Sequence, residues 1–405
     1  MALTPHSTVA TNPREGTIAA QLAVIGPHAN GFHVMRIALA IVVVIYHTVL
    51  TSDGPWWDML YWYGDFRGLL LAMLPMFFAL SGFLVAGSLE RTPKLSQFLT
   101  LRAIRLVPAL AVEVLLCALI LGPMVTTLPL TEYFTNPEFF AYFRNIVGDV
   151  HFTLPGVFQN VPFPNVVNGS LWTVPLELQG YGLLAIMMIL GLTKRRWILA
   201  ALILGVCILE PIRRFAIQEP LIATGPGEGW MLITCFFCGM LVFLFRDKLA
   251  FRFWLGGLAF VAAVACFHFR PTHYWGAPLI AYATVVMGLV KIPRIPVISN
   301  GDYSYGLYVF AFPIQQLFAF AFPGIREWYW NGLFTLTLGF AYAAFSWHCV
   351  ENPVLKRKKV ILAWVDRTIT SFKSAVRPVL APFRGRKTPA SPESQPGHTA
   401  ATPQP

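Results

Sequence analysis

Long apolar segments recur along the chain, and they constrain its fold more than any other feature of the sequence. They cover residues 32–51, 67–89, 106–128, 169–192, 197–212, 229–245, 253–269, 273–290, 302–322 and 331–350. Most of them reach the length of about 17 residues or more that a helix needs to cross a bilayer. A backbone inside lipid must satisfy its own hydrogen bonds, so such segments form helices. The sequence therefore predicts an all-α integral membrane protein, a polytopic bundle of about ten transmembrane helices.

The distribution of charge predicts how this bundle is oriented. Only 12% of the residues are charged, against about 25% in a typical soluble domain. The net charge of +11 does not require a nucleic-acid partner, because most of the 30 Lys and Arg residues lie in alternate connections and in the C-terminal segment. Cytoplasmic loops of membrane proteins carry such an excess, so both termini are expected to be cytoplasmic. The six cysteines lie in apolar segments, and no metal site is expected from them.

Four regions follow from the composition along the chain. Residues 1–30 are polar and contain prolines, which predicts a disordered leader. Residues 31–355 hold all the apolar segments and form the predicted membrane domain. Residues 356–380 combine basic and apolar side chains, as in an interfacial helix whose basic residues face anionic headgroups. Residues 381–405 are of low complexity and expected to be disordered, and no second soluble domain is expected.

The first apolar segment carries two residues that lipid disfavours, Arg36 and His47. Eleven residues of helix correspond to about 1100° of rotation and about 16 Å of rise, so both side chains lie on one face. This face is expected to look into protein or into a water-filled cavity. A histidine in a dehydrated pocket favours its neutral form and is able to accept a proton. The alternative is a polar residue that hydrogen-bonds a neighbouring helix.

Two arginines stand one helical turn apart where the third apolar segment begins. Arg102 and Arg105 precede Pro108, at the end of the segment that is predicted to face the cytoplasm. Guanidinium groups bind phosphate groups through paired hydrogen bonds. A solvated cytoplasmic loop explains the same charges equally well.

A carboxylate occurs inside the apolar segment that follows the long loop 129–168. Glu177 lies in this segment together with Gln179. An intramembrane carboxylate needs a partner or a proton, and Arg36 and His47 are the candidate partners. A structural ion pair is the alternative to a catalytic role. Glu113, in the third segment, is a second buried carboxylate without a motif around it.

Six motifs in register resemble those of the acyltransferase 3 family, over about residues 30–355. They are Arg36-x10-His47, Phe77-Phe78-Ala79-Leu80-Ser81-Gly82-Phe83-Leu84, Arg102-x-x-Arg105-x-x-Pro108, Ser170-Leu171-Trp172-Thr173-Val174-Pro175-Leu176-Glu177-x-Gln179, Tyr303-Ser304-Tyr305-Gly306-Leu307-Tyr308 and Glu351-Asn352-Pro353. The family consists of integral-membrane O-acyltransferases that modify bacterial surface and exported carbohydrates, and some antibiotics. The resemblance thus implies a multi-pass protein of the bacterial cytoplasmic (inner) membrane.

The resemblance also implies roles for individual residues. His47 matches the presumed catalytic residue and Arg36 its essential partner, while Arg102 and Arg105 match arginines that engage the acyl-coenzyme A donor. Acetyl-coenzyme A would be a donor substrate and no cofactor would be permanently bound; the acceptor would be a carbohydrate or glycoconjugate. His47 would act as a general base on the acceptor hydroxyl or take the acyl group covalently, with Arg36 near the donor phosphates. From its burial and its motif match, Glu177 is expected either to orient the imidazole or to stabilise the imidazolium. The loop 129–168 is the candidate acceptor lid.

Two departures from the family pattern stand out. Many relatives carry a histidine where this chain has Ala311. No stretch resembles the periplasmic hydrolase-like domain that some members carry. A transporter or flippase of a carbohydrate or lipid-linked intermediate is the alternative function, because intramembrane Arg, His and Glu also line transport paths. The absence of a visible internal repeat weighs against it, and the oligomeric state is not given by the sequence.

Overall fold

A computed structural model describes residues 14–26, 30–55, 64–221, 228–293 and 301–380. Within these ranges the chain is helical and has no β-strand. The helices of eight residues or more in the described residues are α1 (Ile18–Ile25), α2 (Asn30–Asp53), α3 (Arg67–Arg91), α4 (Leu95–Leu116), α5 (Val174–Ile189), α6 (Arg196–Ala216), α7 (Gly229–Leu244), α8 (Phe253–His268), α9 (His273–Gly288), α10 (Tyr303–Ala321), α11 (Trp328–Phe345) and α12 (Lys358–Leu380). The predicted all-helical architecture is confirmed.

Five helical stretches in the described residues are long and apolar enough to cross a membrane. They are Gly31–Asp53, Arg67–Arg91, Leu95–Val125, Gly169–Ile189 and Trp328–Lys356. Helices α7 and α8 are apolar but shorter. A protein with several membrane-spanning helices is therefore established, while the count of ten crossings stays a prediction.

The third membrane helix begins earlier than its hydropathy indicates. The connection after α3 is short, and α4 starts at Leu95 and continues through a π-helical turn, Cys117–Leu121, to Val125. Its first turns are polar, and Ser96 and Gln97 donate hydrogen bonds to Asp366 of α12. Hydropathy does not detect these turns because contacts outside the apolar segment stabilise them.

The predicted disordered leader is wrong for the residues that form α1. Ile18 is fully buried and its amide donates to the carbonyl of Leu249 at 3.0 Å. The Gln21 side chain donates to the carbonyl of Leu289 at 3.1 Å. Tertiary contacts therefore hold a helix too short to be stable alone. The disorder expected for residues 1–13 and 381–405 falls outside the described residues.

The long loop 129–168 packs against α4 and α10 as a second apolar core. It contains two short helices, Leu130–Thr135 and Pro137–Tyr142, and a 3₁₀ turn. Tyr133 is fully buried and its hydroxyl donates at 2.7 Å to the carbonyl of Ala118 within the π-helical turn. The loop is thus a fixed cap over one end of the bundle.

Helices α3 and α7 approach so closely that only glycine fits between them. A Cβ added at Gly82 would overlap the carbonyl oxygen of Phe236, and one at Gly239 would overlap that of Ala79. Small residues at the crossing of two membrane helices allow such backbone contact. Gly82 belongs to one of the sequence motifs, and its contacts give it a packing role.

We expect Gly82→Ala to lower the free energy of unfolding by about 2 kcal/mol, because the added methyl must push α3 away from α7. The matched control is Gly205→Ala in α6, where no atom lies within 4 Å of the added Cβ. The midpoint of thermal unfolding in detergent reports the stability of both variants. Equal midpoints for the two variants would contradict the close crossing.

Candidate active site

A cavity of about 500 Å³ opens between α2, α3, α4, α5, α10 and α12. Its apolar wall includes Leu74, Phe77 and Leu84, all from α3. Charged side chains gather on the remaining wall, among them Arg36, Arg91, Arg102, Arg105, Glu177, Lys358 and Lys359. The cavity therefore suits a long ligand with an apolar part and an anionic part.

Asp302, immediately before α10, is the anion around which the charged wall is built. Arg36 Nη1 lies 2.9 Å from its carboxylate and Arg105 Nη2 lies 2.5 Å from it. Ser304 Oγ donates to the same carboxylate at 2.7 Å, and His33 Nδ1 lies 3.9 Å away. The Asp302 side chain is 12% exposed. One carboxylate thus holds arginines from two different helices.

A second carboxylate fixes Arg105 from the end of α11. Glu351 is 1% exposed and its Oε2 lies 3.1 Å from Arg105 Nη1. Its other oxygen accepts a hydrogen bond from Ser346 Oγ at 3.0 Å. Both residues lie in a π-helical turn, Ser346–Glu351, which continues α11. Arg105 is therefore clamped between the start of α10 and the end of α11.

Arg102 differs from its neighbour one turn later. Its Nη2 donates to Ser88 Oγ at 3.3 Å, and its guanidinium lies 5.9 Å from the centre of the Tyr181 ring. Among the described residues it forms no ion pair with a carboxylate. Of the two arginines, Arg102 therefore has charge available for a ligand.

Glu177 lines the cavity but does not pair with Arg36 or His47, the partners expected from the sequence. Its carboxylate accepts a hydrogen bond from the Tyr181 hydroxyl, one turn later in α5. In the described part of the chain it has no hydrogen bond or ion pair to Arg36 or His47. Arg36 is paired with Asp302 instead. Glu177 and Arg36 thus line the same cavity without pairing, and His47 is not part of its lining.

His47 lies beyond the end of the cavity, among aromatic rings. The centroid of its imidazole is 5.3 Å from that of Phe312, edge to face, and 5.4 Å from that of Tyr46. Phe312 is one turn after Tyr308, which lines the cavity beside Phe77 with ring centroids 6.0 Å apart. The imidazole is not part of the cavity lining, whereas Arg36 on the same helix is.

Buried polar contacts fix the helical turns on both sides of His47. Gln315 of α10 donates to the carbonyl of Val44 at 2.7 Å. Asn331 of α11 donates to Thr51 and Ser52 at 3.2 and 3.1 Å. The backbone on both sides of the histidine is therefore held by contacts from two neighbouring helices. Gln and Asn inside apolar segments are the sequence signal that points to this network.

The buried Glu113 anchors the loop 129–168 rather than the cavity. Its Oε1 accepts hydrogen bonds from Asn168 at 2.9 Å and from the Cys117 thiol at 3.1 Å. The Tyr142 hydroxyl donates to the same oxygen at 3.5 Å. Tyr142 and Asn168 tie two parts of the loop to α4, which agrees with a structural role.

Asp302 is the site residue that the sequence motifs miss. It stands one position before the motif Tyr303–Tyr308, at the first position of the apolar segment 302–322. Composition gives no reason to select it among the 19 acidic residues. The one signal that points to Asp302 is its position at the start of a predicted helix, because the helix dipole favours a negative charge at that end.

We expect Asp302→Asn to destabilise the protein by about 3 kcal/mol, because it leaves two poorly exposed arginines without their shared counter-charge. Asp149→Asn is the control, since Asp149 is 46% exposed and pairs with Arg144 at the surface, where an ion pair contributes less than about 1 kcal/mol. Thermal unfolding in detergent compares them. A similarly small loss of stability in both variants would show that Asp302 is not needed to stabilise Arg36 and Arg105.

The sequence of the chain is similar to those of known proteins. Residues 30–347 match the model of a family described as an acyltransferase domain, which is the acyltransferase 3 family. Nodulation protein 10 of Rhizobium leguminosarum bv. viciae is 25% identical over 367 residues, covering 83% of this chain and 96% of the relative. The O-acetyl transferase of Shigella phage Sf6 is 23% identical over 341 residues, covering 81% and 97%.

No solved structure matches the chain. The family match extends over most of the sequence and includes α2 to α11, from which nearly all of the cavity is built. The chain therefore belongs to the acyltransferase 3 family and is an acyltransferase with several membrane-spanning helices.

Proposed function

We propose that the protein is an O-acyltransferase of the bacterial inner membrane that moves an acyl group, most simply acetyl, from acyl-coenzyme A to a hydroxyl of an exported or surface carbohydrate. One observation carries the proposal: Arg102, which has no carboxylate ion pair in the described residues, and Tyr308 line one cavity, and Phe312, one turn after Tyr308 in α10, packs against the imidazole of His47. The relative named O-acetyl transferase supports the oxygen acceptor and the acetyl group.

The orientation follows from the charge distribution. We place ten crossings in the membrane and both termini in the cytoplasm, because most Lys and Arg residues then lie inside. The charged end of the cavity then faces the cytoplasm, where acyl-coenzyme A is found. His47 lies toward the outer side, from which an exported carbohydrate would approach.

The donor is proposed to lie along the cavity. Its phosphates would bind the guanidinium of Arg102, since charge-assisted hydrogen bonds to phosphate are strong. Arg105 and Arg36 are already paired with Asp302, so their main contribution would be to shape the wall and add positive potential. The flexible arm would follow the apolar wall of α3 and present the thioester beyond Tyr308.

Transfer requires the imidazole of His47 to meet the thioester. In the direct route the imidazole takes the proton of the acceptor hydroxyl, the hydroxyl oxygen bonds to the thioester carbonyl carbon, and the carbon–sulfur bond breaks. The departing thiolate receives the proton from the imidazole. In the covalent route an imidazole nitrogen bonds to the thioester carbonyl carbon and the carbon–sulfur bond breaks, which releases the coenzyme A thiolate. The acceptor hydroxyl oxygen then bonds to the acyl carbon, the acyl–nitrogen bond breaks, and the hydroxyl proton passes to the thiolate. Either route requires Phe312 to move, because its ring lies against the imidazole.

We expect His47→Ala to lower the rate of acetyl transfer by about a thousandfold, since a general base contributes about 10² to 10⁴ in rate. Radiolabelled acetyl-coenzyme A and a polysaccharide acceptor provide the assay with purified protein. His268→Ala, at the end of α8, is the control and should retain the wild-type rate.

Transfer that survives His47→Ala would reject the assignment of His47. If the wild-type protein transfers acetyl to no acceptor and releases no coenzyme A, the enzymatic proposal fails and transport of a carbohydrate becomes the better explanation. Comparing the mass of surface glycans with and without the gene identifies the acceptor, since each acyl group adds a fixed increment.

Glu177 is the second proposed catalytic residue, because its carboxylate lines the cavity in which the thioester would lie. We expect Glu177→Gln to lower kcat by about tenfold while expression and thermal stability stay intact. Tyr181→Phe removes only the hydroxyl that donates to this carboxylate and should have a smaller effect. An unchanged kcat in Glu177→Gln would limit Glu177 to a structural role.

A further inference from the structure

Helix α12 contributes to the cavity as well as lying along the bundle. Lys358, Lys359 and Leu362, in its first two turns, line the same cavity as Arg102. The sequence predicts this basic segment to be an interfacial helix that faces headgroups. The structure places this first turn at the cavity, and contact of the helix with headgroups stays a prediction.

The carboxylate of Asp366 ties α12 to the start of α4. Asp366, two turns after the lysines, accepts hydrogen bonds from Gln97 Nε2 at 2.8 Å and from Ser96 Oγ at 3.3 Å. Lys94 Nζ lies 3.7 Å from it. These partners surround the start of α4, where a negative charge is favoured by the helix dipole. The anchor keeps the first turn of α12 beside the cavity.

Cations around the cavity fall into two groups. Arg36 and Arg105 share the carboxylates of Asp302 and Glu351. The other group lines the cavity without an ion pair to any carboxylate in the described ranges: Arg91, Arg102, Lys358 and Lys359. Four unpaired positive charges around one opening attract a multiply charged anion.

We infer that Lys358 and Lys359 of α12, together with Arg91 and Arg102, form a phosphate subsite at the mouth of the cavity. This inference rests on the proposed function, because the phosphates it binds are those of the coenzyme A donor. Ammonium groups bind phosphate as mobile point charges, and guanidinium groups bind it through paired donors. Anionic lipid headgroups carry the same phosphate chemistry, so the test must separate the two sources.

The test measures donor kinetics in Lys358→Gln/Lys359→Gln. We expect the KM for acetyl-coenzyme A to rise about tenfold, since each charge-assisted contact to phosphate contributes about that factor or less, while kcat stays within about twofold. With acetylpantetheine, a thioester without phosphates, the variant and the wild type should be equal. Arg367→Gln is the matched control, because Arg367 is exposed on α12 outside the cavity.

Three results would overturn the subsite. One is an unchanged KM in the double variant, and another is an equal rise with acetylpantetheine. The third is a rise in KM that appears in nanodiscs containing phosphatidylglycerol and vanishes in nanodiscs of phosphatidylcholine alone. That result would show that the lysines bind lipid headgroups rather than the donor. Asp366→Ala provides an independent check, because it leaves the cavity charges in place and should still raise the KM.

Equilibrium binding of radiolabelled coenzyme A distinguishes this inference from the proposed function. If the wild type binds coenzyme A more tightly than the double variant but transfers no acyl group, the subsite stands and the transferase mechanism fails. If the wild type transfers acetyl and the lysine variant behaves identically, the mechanism stands and the subsite fails. A wild type that neither binds coenzyme A nor transfers acetyl overturns both.

Discussion

The arrangement of the cavity depends on one carboxylate placed between two arginines. Asp302 pairs with Arg36 from α2 and Arg105 from α4, and Glu351 adds a second contact to Arg105. Buried charges are tolerated only when they are paired and hydrogen-bonded, so these contacts fix the relative positions of four helices. The walls of the cavity, including the apolar side of α3, are built around this fixed point.

Pairing also decides which charges are available to a ligand. Arg105 belongs to the same motif as Arg102, yet its guanidinium is paired with two carboxylates. Arg102, one turn earlier, contacts a hydroxyl and an aromatic face. Counting arginines in a motif therefore overestimates the number whose charge is available to a ligand, because carboxylates far away in the sequence pair with some of them.

The imidazole of His47 does not line the cavity in this structure. Aromatic rings from α10 separate the imidazole of His47 from the cavity end, while hydrogen bonds from Gln315 and Asn331 hold the backbone on either side. Contacts from α10 and α11 therefore fix the backbone around His47. The loop 129–168, tied to α4 through Glu113, is held in place at one end of the bundle.

The sequence alone determined the helical membrane architecture, the family and the residues whose chemistry is unusual in lipid, because hydropathy and motif spacing are local properties. It also pointed to Arg36, His47, Arg102, Arg105 and Glu177 as the residues to examine. Only the tertiary structure decided that Asp302 is the partner of Arg36, that α1 is ordered, and that α12 reaches the cavity. Those facts depend on contacts between distant segments, and no local pattern encodes which charges become neighbours when helices pack.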